Sequence, residues 1–466
     1  MLYFGLFLTI ASGFVFVHCL SVKFTLIEKA GLSFPLGMAF TCFLMLLLDQ
    51  VNIPLTLAPL LASQAFLLAG LCLFVYFCRK DAWVSLRESV SPSSLKDVNL
   101  VWLLFILMTV YVEYMNFSKC MYFPPSDRDS LSGFETIGYI ASQEHTFKGL
   151  SIFDESYMPG IHGPASTITY APLVQLCYAY VYTLGAETSK IVPALMYLFF
   201  LLAFYGAASR AAGKTGASVA TFFVLLTPEM LGFSSLSMTN VIHAVFASLS
   251  VIYMSHWFKT GEKKDLLLCG ALLGGNILCR TEGIVFTAAV LLLLFIDAFR
   301  SKRYRGFVQA SLWALVPLVV WTLYRKMNGL YAESIAVTHP FWDAEKAGVI
   351  VSYMWGLYKN TLYYGWTFNV FLIAFLANLW FLIRKKDSLY LLLAIGLSSL
   401  FYILILYQVD YKWDTMHNVL SYSAKRFLFC FIPMIWYFSL TCHAVSALFR
   451  RMERFLLLRY FSRRTK

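Results

Sequence analysis

The chain has 466 residues, of which 59% are hydrophobic and 17% aromatic but only 13% charged, against roughly 25% charged in an ordinary soluble domain. So much apolar material exceeds what a water-soluble core can bury, and it falls in blocks long enough to cross about 30 Å of hydrocarbon, which takes roughly 20 helical residues. The net charge of +12 is carried by short loops and by the tail at 450–466, as the positive-inside bias requires, so the partners expected are membrane lipids and not nucleic acid.

In chain order, the apolar runs predict spans at 2–21, 31–48, 56–78, 99–118, 191–208, 217–234, 240–257, 265–281, 283–299, 307–326, 361–384, 388–408 and 427–449. The fold class is therefore all-α, a polytopic transmembrane bundle of about 13 spans with a long outer loop carrying juxtamembrane helices. The first run lacks a basic leader and a small-x-small cleavage site, and reads as a retained span. With thirteen spans, the basic connections at Lys23/Lys29, Arg79/Lys80/Arg87, Arg210/Lys214, Lys259/Lys263/Lys264, Arg300 to Arg305, Arg384 to Lys386 and the tail all fall on one side, the cytoplasm. Residues 171–185 are apolar but short, and a full span there would break that alternation; they read as a half-helix or interfacial helix packed on the bundle. The organisation expected is a three-span segment with its cytoplasmic loop at 1–98, a main transmembrane module at 99–449, and a basic tail at 450–466. The ten cysteines show no metal-ligand spacing, and most lie inside apolar runs.

Three long connections, 119–170, 327–360 and 409–425, gather on the opposite face, so any active surface is expected there, on the periplasmic or luminal side. The first carries FPPSDRDSLSGFETIGYIASQEH, in which two prolines stop a helix and Asp127 and Asp129 follow close to the membrane surface. A carboxylate there can act as general base on an acceptor proton; the plainer reading is a pair of solvated turn residues beside Arg128. Against the positive-inside bias, Arg280, Arg325, Lys326, Lys425 and Arg426 also face outward. Such cations suit a lipid phosphate, although each could instead snorkel or pair with Glu282, Asp343, Asp410 or Asp414. Tyr170 and His162 join Glu282 as candidate substrate contacts from the same face. His162, His339, His243 and Glu229 are too scattered to define a metal site. Many outer aromatics, among them Trp342, Trp355, Tyr363 and Trp366, read mainly as an interfacial belt.

Four landmarks in order resemble the GT-C superfamily of membrane glycosyltransferases, in particular lipid A sugar transferases and relatives of protein mannosyltransferases. DSLSGFETIGYIA (129–141) looks like the first-loop motif, TYAPLVQLCYAYVYTLG (169–185) is similar to the Tyr-Pro-Leu-Leu segment, ALLGGNILCRTEGIVF (271–286) resembles the Gly-rich span with its basic residue and Glu-Gly, and SAKRFLFCFIPMI (423–435) matches the opening of the last span. The resemblance covers about 99–449. It implies a catalytic base at Asp129, a polyprenyl-phosphate sugar as donor, and phosphate contacts at Arg280 and Arg426. The sequence departs from the pattern at Asn240, where the family often has Asp, and at Ala171, which interrupts the Tyr-Pro pair.

These readings converge on inverting transfer of a sugar from a polyprenyl-phosphate carrier to a lipid, glycan or protein acceptor at the outer face of a cell (inner) membrane. Asp129 is the base and Asp127 its substitute; Arg280, Arg325, Lys326, Lys425 and Arg426 hold phosphate. No cofactor is certain, since a phosphate-linked sugar is already activated, and a divalent metal is left open. The alternatives are a transporter or flippase for a lipid-linked solute, which would place ionisable groups near the bilayer midplane, and a glycan polymerase or ligase using a pyrophosphate carrier.

Overall fold

The computed structural model describes residues 1–20, 24–79, 99–127, 129–153, 170–330, 336–338, 341–386, 388–411 and 415–464. Its first helices are α1 (Leu2–Leu20), α2 (Leu26–Gln50), α3 (Leu57–Cys78) and α4 (Leu100–Tyr122). The long loop then gives a π-helical turn (Ser130–Phe134), α5 (Glu135–Glu144) and α6 (Leu173–Thr183). The middle of the chain forms α7 (Ile191–Ala212), α8 (Lys214–Leu225), α9 (Pro228–Ser234), α10 (Asn240–Thr260), α11 (Lys263–Cys279), α12 (Gly283–Ser301) and α13 (Tyr304–Met327). After it come β1 (Ala336–Thr338), α14 (Ala344–Lys359), α15 (Thr361–Tyr364), α16 (Thr367–Lys385), α17 (Leu389–Gln408), β2 (Val409–Tyr411), α18 (Met416–Phe427), α19 (Phe431–Thr441) and α20 (His443–Arg464).

The protein is an all-α polytopic bundle. Eleven helices among the described residues are long and apolar enough to cross a membrane, counting 416–441 as one. Two of the thirteen expected spans take another form. The segment at 217–234 is broken: Pro228 starts a new helix, and α8 and α9 meet at 73°. The segment at 265–281 is α11, with 17 residues, at the short end of what a bilayer requires. Elsewhere only the bounds move. Span 361–384 begins at Thr367 after the short α15, and the last span begins at Met416 and ends at Thr441, so the tail forms a separate helix.

Segment 171–185 contains the 11-residue α6. At about 1.5 Å per residue it cannot cross a bilayer, yet almost every side chain in it is buried, so it lies inside the bundle. The strands β1 and β2 form a small antiparallel ribbon, Val337 facing Asp410. Lys346 of α14 donates to the Asp410 carboxylate at 2.6 Å and pins the ribbon to the amphipathic outer helices.

The core lies around α10, whose residues from Asn240 to Trp257 are all buried. Large apolar side chains on α3, α4, α13 and α16, such as Phe66, Leu107, Val319 and Ile373, point outward instead, as expected where the surrounding solvent is lipid. Packing is closest at glycines. A Cβ on Gly31 of α2 would stand 2.0 Å from the Ala203 nitrogen of α7, and one on Gly274 of α11 would stand 2.6 Å from the Trp313 carbonyl of α13.

The two ends of the bundle carry separate polar networks. At one end Arg210 pairs with Glu28 (3.0 Å) and Asp265 (3.1 Å), and the Tyr253 hydroxyl donates to Glu28 at 2.7 Å. That end also holds the basic connections around Arg210, Lys259 to Lys264 and Arg300 to Arg305. At the other end Asp49, closing α2, accepts from the Thr146 hydroxyl (2.7 Å), the Phe147 amide (3.2 Å) and the Tyr324 hydroxyl, tying the loop after α5 to α2 and α13. The loop carrying Asp127 and Asp129 lies at this second end.

Candidate active site

Pro124 and Pro125 cannot continue the hydrogen-bond ladder of α4, and the chain leaves the helix after Tyr122. Asp127 then accepts from the Ser130 amide at 2.8 Å, a local side-chain cap that starts the π-helical turn directly after Asp129. Such turns are rare and occur often at functional sites. The second carboxylate oxygen of Asp127 is buried with no hydrogen-bond partner among the described residues. Burial pushes the Asp127 carboxyl above its ordinary value; the nearby charges of Asp129 and Glu135 push the same way, and the Ser130 amide partly opposes them.

Glu135 anchors this turn from behind. Its carboxylate accepts from the Ser130 hydroxyl (2.6 Å), the Ser189 hydroxyl (2.8 Å) and the Tyr182 hydroxyl. Ser189 in turn meets Ser237 at 2.8 Å. One buried side chain therefore joins the catalytic-loop candidate to α6, the start of α7 and the segment before α10. Sequence reasoning did not single it out, although it stands inside the quoted first-loop motif; an acidic residue on an otherwise apolar helix face was the available signal.

Arg426, at the end of α18, reaches across the chain to pair with the Asp129 carboxylate. Its guanidinium also stands 5.6 Å from the Phe233 ring centroid. The preceding Lys425 donates to Glu229 at 2.9 Å, and Glu229 lies in the first turn of α9 beyond the break in the span.

Arg280 caps α11 and is nearly saturated by protein. It holds Glu282 with two nitrogens (Nε 3.1 Å, Nη2 2.7 Å) and donates from Nη1 to the Thr239 hydroxyl (3.1 Å) and the Asn240 amide oxygen. For Arg280, burial opposes the charged form, but the Glu282 carboxylate outweighs it and holds the guanidinium firmly protonated. Burial would raise Glu282; its partner overcomes that and holds the carboxyl at about 2. Asn240, the departure noted in the sequence, thus supplies the oxygen that a carboxylate would otherwise offer to Arg280.

Tyr170 locates these groups relative to one another. Its phenol is raised first by burial, then by Glu282, with Asp129 adding and Arg280 and Arg426 opposing, so all four charges act on one hydroxyl. Its ring packs edge-on against Phe134 at 5.8 Å. Asp127, Asp129, Tyr170, Arg280, Glu282, Lys425 and Arg426 therefore gather at one end of the bundle.

Arg325 and Lys326 do not join them. Arg325 donates weakly to the Leu330 carbonyl (3.5 Å) and lies 5.9 Å from the Trp321 ring, while Lys326 is exposed. Both sit at the same height but on the flank formed by α2 and α13. His162 falls outside the described residues, as does His339. His243 is a core residue, 3.4 Å from the Cys430 sulfur. Among the described residues no group of three or more His, Cys, Asp or Glu side chains is arranged to hold a metal ion. Arg280, Lys425 and Arg426 each have a carboxylate partner, Glu282, Glu229 and Asp129 respectively.

A carboxylate with a buried acidic neighbour, guanidinium groups beside it and an aromatic wall can take a proton from an acceptor and neutralise a departing anion. Residues 171–324 match the model of the dolichyl-phosphate-mannose-protein mannosyltransferase family. No curated protein and no solved structure matches the chain. The matched stretch runs from α6 into α13 and includes Lys190, Glu229, Asn240, Arg280 and Glu282, while Asp129 and Arg426 lie outside it on either side. The match supports a membrane glycosyltransferase of the GT-C type and, with the eleven apolar helices, a multi-pass membrane protein.

Proposed function

We propose that the chain transfers a sugar from a polyprenyl-phosphate carrier to an acceptor hydroxyl or amine, with inversion, at the extracytoplasmic face of a cell membrane. The observation that carries this reading is the meeting of Asp129 and Arg426, 297 residues apart in sequence, beside Arg280 and Tyr170. Asp129 is the base. Its partner, Arg426, is also the group best placed to receive the carrier phosphate.

Binding and activation are then one exchange. The phosphate takes Arg426, and the Asp129 carboxylate is released to accept the acceptor proton. The acceptor oxygen or nitrogen bonds to the anomeric carbon on the face opposite the phosphate. The bond from that carbon to the phosphate oxygen breaks, its electron pair leaves with the phosphate, and Arg426 stabilises the developing charge, assisted by the remaining N–H of Arg280. Asp127, raised by burial, is a second polar contact at the acceptor side. A phosphate-linked sugar is already activated, so positioning and electrostatics account for the chemistry with these residues.

Sidedness and donor are tested together. In intact cells a membrane-impermeant maleimide should label a cysteine placed at exposed Lys326, and should label one at Lys302 only after permeabilisation; Cys72 and Cys78 are replaced beforehand. Purified protein in proteoliposomes should move label from a polyprenyl-phosphate sugar to a membrane-extract acceptor. Labelling on the opposite sides, or solute uptake with no covalent product, would overturn the reading.

A further inference from the structure

A second polar group lies beside the Asp129 and Arg426 pair, and the transfer step makes no use of it. Phe233 separates the two: Arg426 stands 5.6 Å from its ring centroid and Lys425 5.7 Å. The Lys425 ammonium donates to Glu229 at 2.9 Å and lies over the Tyr363 ring at 4.6 Å. The Tyr364 hydroxyl fixes the Lys425 backbone by donating to its carbonyl at 2.9 Å. Among the described residues Lys425 is the only hydrogen-bond partner of the Glu229 carboxylate, which leaves its second oxygen available.

The helix surface beside Glu229 is open. Gly232 stands three residues after Glu229 on α9, on the same helix face, and a Cβ built on it would meet nothing within 4 Å. A carboxylate and an ammonium whose side chains are 18% and 23% exposed, with a tyrosine ring beside the ammonium, match a polyhydroxylated ring. Adjacent hydroxyls donate to the carboxylate and accept from the ammonium, while the C–H face lies on the aromatic ring. Arg426 and Lys425 both stand over the Phe233 ring, 5.6 and 5.7 Å from its centroid, so a sugar whose phosphate is held by the first lies within reach of the second.

We infer that Glu229, Lys425 and Tyr363, around the open face at Gly232, form the subsite for the hydroxyls of the transferred sugar and set which sugar is accepted. This rests on the polyprenyl-phosphate-sugar reading above. Glu229 and Lys425 recognise the sugar ring; they do not take part in proton transfer.

The test measures binding by the purified full-length chain in detergent, read by intrinsic tryptophan fluorescence. The ligands are bare polyprenyl phosphate and polyprenyl phosphate bearing mannose, glucose or galactose. Wild type should bind at least one glycosylated carrier about tenfold more tightly than the bare one. Glu229→Gln should remove that preference while leaving the bare-carrier Kd within about twofold of wild type. Gly232→Leu, whose side chain enters open space and leaves the helix intact, should do the same by filling the subsite. A preference retained in both variants overturns the inference, as does a wild type that treats all four ligands alike. An Arg426→Ala variant that binds bare carrier as well as wild type would instead sink the donor reading, so the two failures are distinguishable.

Discussion

Replacing Asp129 by Asn preserves the shape of the side chain and one oxygen for Arg426, but removes the base. A positioned general base contributes about 10²- to 10⁴-fold to rate, and each tenfold is about 1.36 kcal/mol of barrier, so kcat should fall with a barrier increase of about 3–5 kcal/mol. Stability should respond differently. The side chains of Arg426 and Asp129 are 23% and 37% exposed, so their pair, screened by solvent, is worth no more than about 1 kcal/mol, and the amide keeps a hydrogen bond to the guanidinium. The phosphate no longer competes with a carboxylate for Arg426, so KM for the carrier should hold or fall. The assay is single-turnover transfer from a labelled polyprenyl-phosphate sugar in proteoliposomes, with a thermal melt on the same preparation. Turnover within about threefold of wild type would refute the assignment of the base, since general-base effects are far larger. A large drop in Tm accompanying lost activity would reassign Asp129 to structure.

Asp127 has its carboxyl raised by burial, so the fold favours its protonated form; that advantage is complete below the unfolded value and is lost as pH rises through the folded one. Asp127→Asn should therefore melt above wild type near about pH 7, with the difference closing toward about pH 4; a difference that does not vary with pH would contradict this. Glu135→Ala strands the hydroxyls of Ser130, Tyr182 and Ser189 and should cost on the order of 1–3 kcal/mol per buried group left unsatisfied, with activity falling as the turn loosens; Glu135→Gln, which keeps an acceptor oxygen, should retain more of both. Gly31→Ala puts a Cβ 2.0 Å from the backbone of α7, and should destabilise by about 1–3 kcal/mol or more, seen as a lower melting temperature in detergent. A Tm unchanged from wild type would contradict this close approach of α2 to α7.

The bundle was legible in the sequence because spanning a bilayer demands long apolar runs, and these are hard to mistake. The break between α8 and α9 was not, since hydropathy continues through it and only Pro228 marks the point at which the chain turns. The same contrast holds for the site. Apolar runs fix how far along the membrane normal a residue sits, and by that measure Arg280, Arg325, Lys326, Lys425 and Arg426 are alike. They carry no information on where each helix stands around the bundle, and so could not separate Arg325 and Lys326, on the α2 and α13 flank, from Arg426 beside Asp129. Nor could they foresee that each central cation has an acidic partner: Glu282 is close in sequence to Arg280, but Glu229 reaches Lys425, and Asp129 reaches Arg426, only through the tertiary fold. Glu135 escaped notice because its partners, Ser189 and Tyr182, come from a later part of the chain.

The ion network at the far end of the bundle bears on how this protein can be cut. Glu28 belongs to the N-terminal hairpin, whereas Arg210, Tyr253 and Asp265 belong to the stretch that matches the mannosyltransferase family. Excising the hairpin would leave a guanidinium and an acid half-compensated in a greasy interior, and would strip the α7 surface that Gly31 covers. The family-matching stretch is thus a recognisable signature but not a portable module, and a shortened chain made to isolate its chemistry should be expected to fail at assembly before catalysis can be measured.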